Sequence, residues 1–293
     1  MKFIVLIFTG LSLGLNAQVL DNRNGEAFTD VPFFNDDFVR TNKLKKIKGE
    51  FQYMKRGNGL RSTEFKYIYE FDKSGRLIST FETRADKGII DTTWNKYKYD
   101  VDNNMTVHSK TDMEGFLTVK YTHDSIGRVL TEEYIRDLDS AGKVVRSLSF
   151  NKESIKYASY VLQMKRTFYN NYDLPYLDEY FNYNELGYLI ERIERIKMTS
   201  AVYTYNYEYN REGKLSAIRK SSNRTEGFLE EFLFKYDELG NLLEKHIYKN
   251  GEFITDIQII YSSKTKLLSS VITREVSTDF MMILRFNNYE FFR

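Results

Sequence analysis

The chain has 293 residues, with 43 lysines and arginines against 41 aspartates and glutamates, a formal net charge of +2 at pH 7. Balanced charge argues against nucleic acid as a partner, because neutralising phosphates needs a basic excess or stripe. The sequence has no cysteine, which excludes disulfides and thiol chemistry; 16% aromatics with 2 prolines suit a strand-rich body.

Residues 1–17 read as a secretory signal: Lys2, an apolar run from Phe3 to Leu15, then Asn16-Ala17 before Gln18. The run is shorter than the ~20 residues of a spanning helix. The mature chain is expected to begin near Gln18 and to be exported, to the periplasm, the cell surface or the exterior. Residues 18–45 form an N-terminal cap segment. There Asn35 is placed to cap a short helix with Asp36 and Asp37 in its first turn, and a repeat array needs such an atypical end to cover an open sheet edge. Lys43, Lys45, Lys46 and Lys48, interleaved with Leu44 and Ile47, read as the polar face of a first strand.

From residue 46 to 293 the hydrophobic period is two. Phe65, Tyr67, Tyr69 and Phe71 share one face of a strand, as do Tyr203, Tyr205, Tyr207 and Tyr209, with Thr204, Asn206, Glu208 and Asn210 opposite. Such stripes are mainly how a sheet packs itself. The run Met281 to Phe286 is apolar on both faces and reads as a buried closing strand.

A short phrase punctuates these strands: aromatics, an acid or amide, two variable residues, glycine, then an apolar residue. Its turn residues are Asp72 and Gly75, Asp124 and Gly127, Asp139 and Gly142, Asn184 and Gly187, Asn210 and Gly213, Asp237 and Gly240. The acid or amide accepts hydrogen bonds from its own turn, and glycine takes positive φ without a Cβ clash. Between strands this is a hairpin loop with a glycine bulge. Degenerate copies place Asn103 and Asp173 in the glycine slot. Most copies lie roughly 24 to 31 residues apart, a pair of strands per repeat.

The Tyr-x-Tyr-Asp-x-x-Gly-x-Leu phrase, over about residues 65 to 268, resembles the YD repeat of the RHS family of bacterial β-repeat proteins. The resemblance implies an all-β, antiparallel hairpin meander. With about sixteen to eighteen strands, this YD-like repeat domain is expected to extend as a twisted sheet or superhelical shell.

The search for chemistry is unproductive. His108, His123 and His246 lack the local spacing of a zinc site. The run from Asp100 fails as a calcium loop, with Met105 at the glycine position and Thr111 at the glutamate. Glu132-Glu133 and Glu230-Glu231 are adjacent, so within a strand they point to opposite faces. No cofactor is implied. The reading is an exported non-catalytic scaffold binding a protein or glycan partner, with no nucleic acid and no membrane span after signal cleavage. The alternatives are a glycan-acting hydrolase with acids assembled across strands and an outer-membrane β-barrel. Charge on both strand faces at Glu191-Arg192 and Glu194-Arg195 counts against the barrel, whose lipid-facing band must be apolar.

Overall fold

The computed structural model describes residues 18–86, 89–112, 115–140 and 143–293. After one short helix, α1 (Asp36–Thr41), the alternating segments form strands. In chain order these are β1 (Leu44–Met54), β2 (Arg61–Phe71), β3 (Leu77–Asp86), β4 (Ile89–Tyr99), β5 (Met105–Asp112), β6 (Gly115–His123), β7 (Val129–Ser140), β8 (Lys143–Tyr160) and β9 (Gln163–Tyr169). They continue as β10 (Pro175–Tyr183), β11 (Leu189–Ile196), β12 (Ala201–Tyr209), β13 (Leu215–Ser222), β14 (Thr225–Tyr236), β15 (Leu242–Lys249), β16 (Glu252–Tyr261), β17 (Leu268–Glu275) and β18 (Phe280–Phe291).

Each strand pairs antiparallel with its neighbours in sequence, and β18 returns to β1, from Leu44↔Phe291 to Met54↔Met281. The result is one closed, up-and-down barrel of 18 strands. The all-β content is as expected. The open sheet or superhelical shell is not, and closure overturns it. Hairpin turns determine which consecutive strands meet, whereas the β1–β18 seam joins the two ends of the chain. The RHS/YD-repeat meander is corrected with it, because a sheet whose last strand returns to its first is neither open nor superhelical. The run from Met281 to Phe286 lies in the seam strand, with Leu284 and Phe286 buried and Met282 exposed.

Register carries side-chain parity around the wall. Phe51, Tyr69, Tyr97, Ile218, Phe234, Ile257 and Leu284 point into the lumen and belong to one buried cluster. Inward Gly49 makes room there: a Cβ would stand 2.7 Å from a Leu284 side-chain carbon. Several outward positions are charged and paired, with Lys46–Glu70 at 2.7 Å, Lys165–Asp178 at 3.1 Å, Lys235–Glu244 at 2.7 Å and Arg274–Asp256 at 3.2 Å.

Two features build one rim. The first is the turn. Gly75, Gly127, Gly187, Gly213 and Gly240 have φ between +76° and +91°. Asp72 Oδ1 accepts from the Ser74 and Arg76 amides at 2.9 and 3.1 Å, and Asp124, Asn184 and Asn210 repeat the pattern. The Asp237 turn closes through the Asn241 amide at 2.8 Å. Asn103 and Asp173 take positive φ without being glycine. The copies do not all share this rim. The Asp173 turn joins β9 to β10 at the opposite end, because β8 and β9 are connected through Val161-Leu162. Asp139 ends up within β7, and Gly142 lies outside the described residues.

The second feature is a stitch. The tyrosine ending a strand donates its hydroxyl to the carbonyl of the first residue after the preceding turn. Tyr99 to Leu77, Tyr209 to Leu189, Tyr236 to Leu215 and Tyr261 to Leu242 lie at 2.8–2.9 Å. Tyr289 does the same to Leu268, which carries the stitch to the seam strand. Each hydroxyl satisfies a carbonyl that the bulged turn leaves free of the ladder, and so keeps a large ring half-buried at little polar cost.

Gly75 has a further duty, since a Cβ there would sit 2.1 Å from the Asp36 carbonyl oxygen of α1. Gly187 has similar φ, +82°, with nothing within 4 Å of that position. Gly187→Ala should therefore cost only the left-handed penalty, about 1–2 kcal/mol. Gly75→Ala should cost at least ~1 kcal/mol more, because α1 must shift. Paired urea denaturation midpoints give the comparison, and equal losses would mean that α1 does not rest on this turn.

Candidate functional site: the plugged mouth of the barrel

The segment before β1 does not cover a sheet edge, since β1 is paired on both sides, with β2 and β18. It folds into the lumen at the turn-bearing rim. Leu20 bridges Phe34, the Asp21 amide donates to the Phe33 carbonyl at 2.7 Å, and the Asn35 amide donates to Val19 at 2.9 Å. This small hairpin leads into α1, whose first turn is capped by Asn35 Oδ1 accepting from the Phe38 amide at 3.1 Å. Val19, Ala27 and Val39 are fully buried. Phe34 meets Tyr69 and Phe71 edge-on at 4.8 and 4.9 Å between centroids. The aromatic stripe of β2 thus packs against the plug.

Polar contacts pin the plug to opposite sides of the wall. Tyr97 on β4 donates its hydroxyl to the Asp30 carbonyl at 2.6 Å, and Lys110 on β5 pairs with the Asp30 carboxylate. Across the lumen, Lys245 on β15 donates to the Ala27 carbonyl at 2.9 Å while only 5% exposed. Asn22 accepts from the Ala27 amide and donates to Tyr236 Oη at 3.0 Å. Tyr236 therefore serves both the rim stitch and the plug.

Beside the plug, toward β10–β14, a cavity of about 1230 Å³ remains. Its wall side carries Tyr183, Tyr188, Tyr209, Lys214 and Tyr236, and its plug side Asp21, Arg23, Glu26, Asp36 and Arg40. Burial pushes the Glu26 and Asp36 carboxyls above their ordinary range. Burial also pushes Asp21 up, but the Arg23 guanidinium outweighs it and holds Asp21 below its usual value. Deeper in the lumen the inward face is polar, with Arg166–Glu179, Arg192–Glu194 and Lys220–Glu230 paired. Arg192 lies 4.0 Å from the Tyr205 ring centroid.

The residues considered for chemistry are dispersed. His108 faces the lumen, stacked on Tyr97 at 4.9 Å and 3.0 Å from Asn95 Oδ1. His246 faces outward between Glu244 and Asp256, at 3.1 and 3.4 Å. Glu132 points inward to the Tyr134 hydroxyl at 2.8 Å, while Glu133 points outward. Glu230 is inward with Lys220, and Glu231 outward with Arg219. A barrel wall separates the members of each adjacent pair. Among the described residues no group of three or more His, Asp or Glu is arranged to hold a metal ion. Sequence reasoning missed the plug contacts. Asn22, Asp30 and Lys245 carry no motif, and a lysine on an otherwise inward-facing apolar stripe was the one signal for them.

No family model matches the chain, and no curated protein matches it in sequence. Among solved structures it is similar to a porin-like protein from Bacteroides uniformis ATCC 8492, 10% identical over 85% of this chain and 98% of that one, TM-score 0.39. A porin-like protein from Bacteroides vulgatus ATCC 8482 is 9% identical over 80% and 97%, TM-score 0.33. The TcdB2-TccC3-Cdc42 complex matches at 11% identity over 74% of this chain and 14% of that one, TM-score 0.26.

Two substitutions test the plug. Tyr236→Phe strands the Leu215 carbonyl and the Asn22 amide, and should cost about 1–3 kcal/mol with faster proteolysis of residues 18–42. An unchanged digestion pattern would separate the stitch from the plug. Glu26→Gln removes a buried charge. Because the folded carboxyl titrates above its ordinary 4.5, ionised Glu26 opposes folding at neutral pH, and the penalty fades as pH falls below that value. The glutamine variant should melt higher at pH 7 and match the parent in acid; a difference independent of pH would rule out the burial effect.

Proposed function

We propose that this chain is an exported, non-catalytic, porin-like β-barrel associated with the outer membrane, its mouth occluded by its own N-terminal segment. The observation that carries this is the β1–β18 seam. A closed antiparallel wall pairs the backbone all round, the condition a sheet must meet to lie in or against a bilayer. The polar lumen agrees with it, since porin interiors are lined by charged and polar groups around water. The remaining cavity at the rim is the entrance that the plug narrows.

Closure corrects two earlier expectations. A β-repeat scaffold offering sheet edges or faces to a protein or glycan partner is not what the chain builds. The exclusion of a membrane span rested on charge on both strand faces, and the closed wall overturns it. The charge on both faces is real: Glu191 and Arg195 point outward, Arg192 and Glu194 inward. Face polarity, however, decides what the wall touches and not whether the wall closes.

The outward ion pairs make the membrane the decisive measurement. The protein should co-fractionate with the outer membrane, migrate faster in unheated than in heated detergent gels, and resist protease in its wall but not in its plug. Recovery of a folded, protease-resistant barrel wholly in the aqueous envelope fraction would overturn the outer-membrane placement while leaving the barrel standing.

A further inference from the structure

The wall is closed, but it is not level at its far rim. β8 pairs with β7 over its first twelve residues, from Ser140↔Lys143 to Thr131↔Ser154. Its other side pairs with β9 only from Ser154↔Tyr169 to Tyr160↔Gln163. Residues 143–153 of β8 therefore project beyond β9 with, among the described residues, no strand on that side. The step begins where the Tyr176 hydroxyl of β10 reaches the Glu153 carboxylate at 2.6 Å. At eleven residues this is a long stretch of unpaired edge, and an unpaired strand edge is a template for another strand.

Its side chains are unusual for an edge left to water. Val144, Val145, Leu148 and Phe150 are 53%, 65%, 39% and 57% exposed. Val145 and Phe150 are the extra residues of two bulges in the pairing with β7. Four of the eleven residues are charged: Lys143, Arg146, Lys152 and Glu153. The two bulges twist the edge, as protected edges do, but the stretch is long and carries no proline.

We propose that this edge of β8 pairs antiparallel with the same edge of a second copy, joining two barrels through a shared sheet. A two-fold at Leu148, the midpoint of the free stretch, sets Leu148 against itself, Arg146 against Phe150 and Val144 against Lys152. No like charges are opposed in that register, and the two exposed Leu148 side chains meet at the axis. Sliding the pair until Arg146 faces Lys152 would oppose like charges on both sides of the axis, which disfavours that neighbouring register. The pairing is isologous, so it closes at two copies and does not run on into a fibre.

The purified mature chain tests this by molar mass across concentration, together with cross-linking. The parent should show a concentration-dependent dimer. Leu148→Lys places two ammonium groups at the axis and should weaken association at least about tenfold, with unchanged melting and circular dichroism. The chain has no cysteine, so Leu148→Cys should form an intermolecular disulfide on mild oxidation, since directly opposed strand residues lie within disulfide reach. Val161→Cys, 93% exposed at the other rim, should not. A monomer at every concentration, or a dimer indifferent to Leu148→Lys, or equal cross-linking at positions 148 and 161 would overturn the proposal.

Discussion

The stitch from each strand-ending tyrosine to the carbonyl behind the previous turn is the interaction on which the rest depends. A glycine-bulged turn gives a tight hairpin, but it leaves a backbone carbonyl outside the ladder at the point where the wall must curve. A phenol satisfies that carbonyl and brings a ring into the lumen in the same step. Repeated at Tyr99, Tyr209, Tyr236, Tyr261 and Tyr289, it ties each hairpin to the one before it. This explains why the residue before the turn acid is so often tyrosine and not phenylalanine.

The aromatic rim this creates would be a wet apolar mouth if left open. The N-terminal segment fills it, with Val19, Ala27, Phe34 and Val39 supplying apolar surface and Asn22, Asp30 and the Ala27 carbonyl meeting polar groups from opposite walls. Plug and rim are mutually dependent. Gly75 must lack a Cβ because α1 rests on it, and Tyr236 must keep its hydroxyl because Asn22 uses it. The cavity is what remains when a plug of this size meets a wall of this circumference.

Inner and outer faces divide the charged residues between them. Ion pairs on both sides hold neighbouring strands in register, for instance Arg166–Glu179 within and Lys165–Asp178 without. Half-exposed pairs of this kind add little stability individually. Their larger effect is on register, because a slip by one residue would carry every lumen aromatic to the outside.

Much of the local structure was legible in the sequence. Period-two alternation from Phe65 to Phe71 and from Tyr203 to Tyr209 specified strands and their faces, and Asp-x-x-Gly specified turns, because both depend on residues a few positions apart. The Asn35 cap was legible for the same reason. The seam between β1 and β18 was not, since closure depends on accumulated twist and strand tilt around the whole wall, which no local pattern records. Nor was the place of the cap: the hydrophobic residues from Val19 to Val39 announce that they are buried, but only a lumen, which exists after closure, says where. The sequence by itself determined strands, turns and faces; the tertiary structure decided that the sheet has an inside.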